Sequence, residues 1–397
     1  MIVADGRSPI TASWLKSLAA LGFEVVLVST YPCQPLEGLS EQHIFPVAFA
    51  GLGGSQSAHS KGTSGNNRLR PLVSRFRSIF MAGRYYFGPW QIKRSQPAFI
   101  KLIEEIKPDI IHALRIPYEG MLASCAPADI PLAVSVWGND LTLHAKGSPW
   151  MKNITRQTLT RADVLMADAS RDIRLGKLWG FDSQKMTLVV PGNGGLDLSL
   201  IPDREKRVLP FLAGIPGQRE LVVNPRGFRP GSVRNDIFFY SMPLILQRNP
   251  NVHFVLPAMA GQAQAYRWVR SFHLEDRVRL LPVLPQDQLW NLFSQSAIFA
   301  SISSHDGTPN SFLESAACGC FPVVGDIESL REWVVPGVNG FLVEPDRPQQ
   351  VAEAILQALE NTKLRDKAGS YNRRMIKERV SVEIVREKIR SIYQKMA

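Results

Sequence analysis

Two carboxylates, Asp306 and Glu314, flank a short polar run, Gly307-Thr308-Pro309-Asn310-Ser311. The pattern places a loop at Asp306 and Gly307 after a strand ending at Ser301. A helix then opens near 308–310, with Pro309 suited to its first turn because a missing N–H does no harm there. The first-turn N–H groups of Asn310 and Ser311, with the positive end of the helix dipole behind them, make an anion site suited to a diphosphate. Glu314 lies one turn in, on the same side. A carboxylate there does not favour phosphate, but it can accept hydrogen bonds from two vicinal hydroxyls, such as those of a ribose. Asp306 can do the same for a sugar. A plainer reading has Asp306 and Thr308 capping the helix and Glu314 solvated. The residues alone weigh the two evenly.

The elements that must position these groups follow from the hydrophobic pattern. Near-continuous apolar runs at 2–4, 24–29, 109–112, 131–136, 164–167 and 187–190 read as strands, with helices at 10–21 and 98–106 between them. Such runs argue for parallel strands covered on both faces. A stretch rich in Gly and Pro, 191–218, interrupts the rhythm. Alternation restarts with strands at 221–224, 252–256, 278–281, 298–301 and 321–324. Helices are expected at 237–246, 262–272, 289–294, 311–318, 349–359, 363–378 and 381–396. The fold class is therefore α/β, with two tandem Rossmann-like doubly wound domains. The expected division is 1–200, a linker at 201–218, 219–378, and a C-terminal helix at 379–397 that packs back on the first domain. Ligands of such sheets bind beyond the carboxyl ends of the strands, and the cleft between the two domains is the expected site.

Length and composition agree with two ordinary globular domains: 397 residues, 45% hydrophobic, 20% charged. They exclude a disordered, collagenous or repeat architecture. Cys33, Cys125, Cys318 and Cys320 form no CxxC pair or zinc spacing and fit a reducing compartment. The first residues do not read as a signal peptide, and no window approaches ~18 apolar residues, so the expected location is cytoplasmic. The net charge of +11 is concentrated in 54–101, where Lys61, Arg68, Arg70, Arg75, Arg77, Arg84, Lys93, Arg94 and Lys101 occur with no acidic residue. Leu72, Phe76, Ile79 and Phe80 share a helical face there. A basic amphipathic segment over 68–94 could rest on the inner face of an anionic membrane. The same charges could instead form a solvated face. Nucleic acid is the least favoured partner.

The run Asp306-x7-Glu314 followed by Ser315-Ala316-Ala317-Cys318-Gly319-Cys320-Phe321-Pro322-Val323-Val324 resembles the Glu-x7-Glu signature of family 4 retaining glycosyltransferases of the GT-B fold. The resemblance continues through Asp326, Arg331-Glu332, Gly337-Val338-Asn339-Gly340-Phe341-Leu342-Val343 and Pro345. It extends more weakly to Arg7-Ser8-Pro9, Gly22-Phe23-Glu24-Val25, 107–113 and Trp137-Gly138-Asn139-Asp140.

The resemblance implies transfer of a sugar from a nucleotide-sugar donor with retention of configuration, and the basic N-terminal surface suggests a glycan or lipid-linked acceptor, such as one of cell-envelope polysaccharide synthesis. The resemblance makes the first domain the acceptor side and the second the donor side. Glu314 would hold the donor ribose and Asp306 hydroxyls of the transferred sugar. Thr308, Pro309, Asn310 and Ser311 would face the diphosphate. Arg226 matches the family's diphosphate arginine. The partner lysine is absent, and Arg234 falls at its place if the loop has gained three residues. Leu284, in 281–285, would pass the nucleobase. Gly6 stands where many members have a Gly-Gly pair, and Asp140 stands on the acceptor side after Trp137, where many members have His. Asp306 replaces the usual Glu and is one methylene shorter. No Asp-x-Asp occurs, so neither a metal nor another cofactor is expected. A sugar-nucleotide epimerase-like enzyme on the same fold and a non-catalytic membrane or nucleic-acid adaptor are the alternatives.

Overall fold

The computed structural model describes residues 1–47, 77–191, 194–202, 209–215, 220–229 and 231–397, with side chains of the helix starting at Arg77 described from residue 83 on. Most of the basic segment before Arg77, including the Leu72 and Phe76 half of the amphipathic face, lies outside the described residues, as do the side chains of Ile79 and Phe80. The described chain forms two compact units. One comprises Met1–Gly194 with Val385–Ala397, the other Gly195–Ile384.

The first unit is built on seven parallel strands: β1 (Ile2–Ala4), β2 (Val26–Ser29), β3 (Glu41–Ile44), β4 (Ile111–Ala113), β5 (Leu132–Val136), β6 (Val164–Ala167) and β7 (Met186–Val189). Their order is β3-β2-β1-β4-β5-β6-β7. Its helices are α1 (Pro9–Ala20), α2 (Arg77–Ile106), α3 (Pro149–Arg161) and α4 (Ser170–Leu178). Alternate residues of the central strands enter different cores. Val3, Val28, Val134 and Leu165 pack with Ile92, Phe99 and Ile103 of α2, whereas Ile2, Leu27, Ala133 and Val164 pack with Trp14, Leu15 and Leu18 of α1.

The second unit holds β8 (Leu221–Val223), β9 (His253–Leu256), β10 (Val278–Leu280), β11 (Ile298–Ser301), β12 (Phe321–Gly325) and β13 (Phe341–Val343), in the order β10-β9-β8-β11-β12-β13, again all parallel. Around it lie α5 (Asn235–Arg248), α6 (Ala263–Ser271), α7 (Gln286–Gln295), α8 (Asn310–Cys318), α9 (Glu328–Arg331), α10 (Pro348–Glu360) and α11 (Thr362–Val380). Both sheets thus have the doubly wound arrangement expected of the apolar runs.

The structure adds elements that periodicity did not expose. The β3 strand, Glu-Gln-His-Ile, is a polar edge strand with no apolar run to announce it. Helix α2 extends far upstream of residue 98 through Pro89 and Pro97, each of which lacks an N–H and reads as a helix break. Helices α3 and α4 begin at Pro149 and Ser170 and bury only part of one side.

The final helix, α12 (Val382–Met396), supplies Val385, Ile389, Ile392 and Tyr393 to the core of the first unit. Tyr393 is its polar anchor. Its hydroxyl lies 2.6 Å from Nδ1 of the fully buried His112, whose Nε2 lies 2.8 Å from Ser135 Oγ; Trp14 donates its indole N–H to the same hydroxyl at 3.5 Å. His112 is thus enclosed and paired, which assigns this strand histidine to the core. Burial, aided by the N-terminal ammonium group, pushes its pKa down to about 3.

Tyr393→Phe therefore leaves a buried ring nitrogen without a partner and is expected to cost about 1–3 kcal/mol in denaturant unfolding. Because His112 is neutral in the fold and binds a proton readily when unfolded, its contribution is intact above about 6.5 and declines as pH falls toward 3. Thermal melts from neutral to acidic pH should show a shallower decline for His112→Gln than for the unsubstituted chain.

Candidate functional site

The loops after β8 and β11 meet where the strand order of the second sheet reverses, because β8 lies between β9 and β11. Hydrogen bonds between main chains join the two loops. Arg234 donates its N–H to Ile302 O at 2.7 Å, Ser304 donates to Ser232 O at 2.9 Å, and Val233 bridges Ser303. A Cβ at Gly325, at the end of β12, would run into the backbone of Ser303, so this close approach requires glycine. Buried Asn224 and Asn235 hold the first loop. Asn224 accepts the Arg226 N–H at 3.1 Å, and Asn235 donates to Gly227 O at 2.8 Å.

This frame aims the buried Arg226 at the start of α8. Its guanidinium donates to an Asp306 carboxylate oxygen in a close ion pair and to Ser311 Oγ at 3.4 Å. Asp306 also accepts the Gly307 N–H at 3.1 Å, while Ser329 donates to the Asp306 carbonyl at 2.9 Å. Neither Asp306 nor Thr308 caps the helix. Pro309 occupies the cap position, with no side-chain hydrogen bond, so α8 starts one residue later than Pro309 in the first turn would have it. Thr308 is buried and accepts the indole N–H of Trp333 at 3.2 Å. The N–H groups of Asn310 and Ser311 precede any carbonyl four residues back in the helix, so α8 supplies them no acceptor.

Glu314 sits one turn in from Asn310 and Ser311, half-buried, and accepts from Gln286 Nε2 at 3.2 Å. Burial pushes its pKa up to about 7, against the opposing pull of the Gln286 and Trp290 side chains on α7. It is therefore not a freely solvated carboxylate. Arg226, Asp306, Ser311 and Glu314 are the sequence-derived residues that the structure draws together on one end of α8 and the loops beside it.

Arg234 is placed differently. Its guanidinium turns back on Asp236, with Nε and Nη2 at 2.9 and 2.8 Å from the carboxylate, which raises the Arg234 pKa and lowers that of Asp236. The second cation beside Arg226 is instead Arg229, whose pKa falls chiefly because of the Arg226 charge, then through burial, with Asp306 opposing. Arg229 was not among the residues expected from the sequence. Its signal was available in the sequence, a second arginine three residues after Arg226 in the Gly- and Pro-containing loop. Leu284 packs against the core of the second unit on one side of the β10–α7 connection.

Two expected site residues lie in the first unit. Asp140 is fully buried and accepts from Arg115 Nη2 at 2.7 Å and from the Ile116 and Trp137 N–H groups, each at 3.2 Å. Those donors engage both oxygens, so Asp140 holds Arg115 and the backbone at Ile116 and Trp137. Gly6 follows β1 and donates its N–H to Ser29 Oγ at 3.0 Å. A Cβ there would meet Cys33 Sγ and lie 2.9 Å from Ser29 Oγ. Among the described residues, no three or more His, Cys, Asp or Glu side chains converge as a metal-binding group, and no helix is long and apolar enough to cross a membrane.

Residues 235–375 match the family model for glycosyl transferases group 1, and residues 78–169 match glycosyl transferase 4-like. A GDP-mannose:cellobiosyl-diphosphopolyprenol alpha-mannosyltransferase of Xanthomonas campestris is 25% identical over 237 residues, covering 58% of each chain. The chain spans about half the length of the curated relatives it matches. Among solved structures, Anabaena HepE in complex with UDP aligns over 99% of both chains at 16% identity, with a TM-score of 0.69. Sucrose-phosphate synthase from Thermosynechococcus elongatus aligns over 100% of this chain and 95% of its own, at 14% identity and a TM-score of 0.72. At such identities the structural likeness speaks for the fold. Together with the two family models, it makes this chain a member of the GT-B-fold glycosyltransferases of group 1.

Proposed function

We infer that the chain transfers a hexosyl group from a nucleotide-sugar donor to a glycan or lipid-linked acceptor, with retention of configuration and without a metal. One observation carries this reading. Arg226, Asp306 and Ser311 are brought together at the N-terminus of α8, with Glu314 one turn in, at the strand-order reversal of the second sheet. The donor diphosphate is assigned to Arg226, Arg229 and the first turn of α8. The ribose goes to Glu314, the transferred sugar to Asp306, and the nucleobase to the backbone around Leu284. The UDP complex of Anabaena HepE is consistent with a nucleoside diphosphate as the leaving group.

In this mechanism the acceptor hydroxyl oxygen bonds to the anomeric carbon on the face from which the diphosphate departs. The carbon–oxygen bond to the diphosphate breaks, and a diphosphate oxygen takes the hydroxyl proton. The protein supplies preorganised positive charge to the leaving group. Each such donor is worth about 3–4 kcal/mol when removed. Arg226 suits the task because its guanidinium is already held by Ser311 and Asp306 and has little freedom to lose on binding.

The basic segment gives the membrane reading a specific surface. On α2, Tyr86, Phe87 and Trp90 are more than half exposed, Arg94 lies 5.7 Å from the Trp90 ring centroid, and Lys93 is exposed beside it. Aromatic rings with neighbouring cations suit the interface of an anionic bilayer. This supports peripheral attachment to a membrane surface, and the same reading places the chain on the cytoplasmic face, in the building of cell-envelope polysaccharide.

Calorimetry with UDP, GDP, ADP and dTDP and their sugars, with EDTA present, tests the donor assignment. One nucleotide should bind, and Arg226→Ala and Glu314→Ala should each reduce turnover at least ~100-fold while the fold is kept. A folded, fully active Glu314→Ala variant would overturn it. Ribose hydroxyls favour the ionised Glu314, so nucleotide-sugar affinity should climb with pH up to about 7 and level off above, and Glu314→Gln should flatten the profile. In a separate sedimentation assay, Trp90→Ala combined with Lys93→Gln and Arg94→Gln should weaken binding to phosphatidylglycerol vesicles. Unchanged sedimentation would remove the membrane surface from the proposal without touching donor binding.

A further inference from the structure

The first sheet also reverses its strand order, at β1, which lies between β2 and β4. Three arginines gather beyond the strand ends there. Arg7 follows β1, Arg115 follows β4, and Arg84 comes from α2. Two of them have carboxylates of their own. Arg7 grips Asp5 through Nε and Nη2, each at 3.0 Å. Arg115 donates to Asp140 at 2.7 Å and lies within electrostatic reach of Glu119.

Arg84 is different. Its Nη2 donates to the Tyr31 hydroxyl in a close contact, and its guanidinium carbon lies 5.6 Å from the Tyr31 ring centroid and 4.9 Å from that of Tyr118. Among the described residues it has no carboxylate partner, and its buried Nε has no acceptor. Arg7 covers the face of the same Tyr31 ring at 3.7 Å. The Tyr118 hydroxyl donates to the Arg84 carbonyl at 3.0 Å and fixes this turn of α2. A half-buried guanidinium held between two tyrosine rings, with a second cation across one of them, calls for an anion from outside the chain.

We propose that Arg84, with Arg7 and the Tyr31 hydroxyl, forms a subsite in the first unit that binds a phosphoryl group carried by the acceptor. The acceptor role rests on the glycosyl-transfer reading; the anion subsite itself does not. A phosphoryl group fits better than a carboxylate because it has enough oxygens to engage the Arg84 fork in two parallel bonds and still face Arg7. Exposed Tyr86, Phe87 and Trp90 lie within the next two turns of the same helix. They would meet the apolar part of an acceptor whose phosphate is a lipid headgroup, whereas a soluble phosphate monoester would use the cations alone.

Titration calorimetry of the full chain with glycerol 3-phosphate, dioctanoyl phosphatidic acid and dioctanoyl phosphatidylcholine tests this. Binding of both phosphate monoesters means that the phosphoryl group suffices. Binding of the phosphatidic acid alone identifies a lipid headgroup, and phosphatidylcholine should bind markedly more weakly in either case. Arg84→Gln should weaken the interaction about tenfold or more, the usual loss for charge-assisted hydrogen bonds, and substitution of the exposed Arg248 of α5 (Arg248→Gln) should leave it unchanged. Phenylglyoxal labelling of the unsubstituted chain, read by peptide mass mapping, should show Arg84 protected by the bound monoester. This keeps the test decisive if Arg84→Gln does not fold. Failure of both monoesters to bind, binding indifferent to Arg84→Gln, or no protection of Arg84 would overturn the subsite. The probes carry no nucleoside, so that failure leaves the donor assignment standing, and a failed donor titration leaves this subsite standing.

Discussion

A parallel sheet whose strand order reverses at its centre leaves neighbouring loops departing toward opposite faces, and the gap between them admits side chains from both. Each unit is organised around one such place, at β1 beside β4 and at β8 beside β11. The loop after the first strand and the loop after its new neighbour supply the polar groups. In the second unit these are Arg226 and Asp306; in the first they are Arg7 and Arg115. The strands beneath them are short and buried. A short rigid strand fixes where its loop begins, and the loop residues inherit that placement.

The two places differ in how charge is settled. Beside α8, two guanidiniums, Arg226 and Arg229, face one carboxylate and a helix N-terminus, which leaves a positive excess. Arg226 acidifies Arg229, the expected effect of like charges held near one another without enough anion. In the first unit the buried carboxylates nearly balance the arginines. Asp140 is occupied by Arg115 and two backbone donors, and Glu119 is pushed up to about 7 by burial despite Arg115 and Thr30. Among the described residues, the imbalance there is confined to Arg84. The backbone near it is distorted too, because Tyr118 adopts φ 73° within the irregular turn Ile116–Gly120. Backbone strain of this kind persists only where the surroundings hold it, and such residues concentrate at functional sites.

Most strands were legible because strands buried on both faces must be apolar throughout, and 164–167 and 298–301 read directly from that rule. β3 and β13 were not. One is a polar edge strand, and the other is three residues long inside a turn-rich motif. The Asp306-x7-Glu314 spacing was legible as chemistry because a helix fixes the relation between Ser311 and Glu314. The partner cation was not, because a loop carries no period. Counting along 226–234 led to Arg234, while the fold turned Arg234 onto Asp236 and left Arg229 beside Arg226. The partners of Asp140 were hidden for a related reason. A carboxylate after a strand looks available until its backbone donors are known. Asn339 belongs to the recognisable motif, yet it is fully buried, with its amide bonded to Trp333 O, Asn372 and the Val335 N–H. Its part in the motif is to hold the chain that presents Trp333 to Thr308.

Asp306 shows how one methylene changes a site. A shorter side chain keeps the carboxylate near its own backbone, where it accepts the Gly307 N–H and pairs with Arg226. Ser329 fixes the adjoining carbonyl, so the position has little play. The acidic group at this position therefore helps orient the arginine as well as facing outward. A longer Glu would carry the charge farther from the Gly307 N–H and loosen the link to Arg226. In the donor assignment, the groups that grip the transferred sugar and the leaving diphosphate are then joined by an ion pair rather than acting separately. Sugar preference at Asp306 and charge stabilisation at Arg226 should be coupled, since a side chain altered at one end of the pair moves the other.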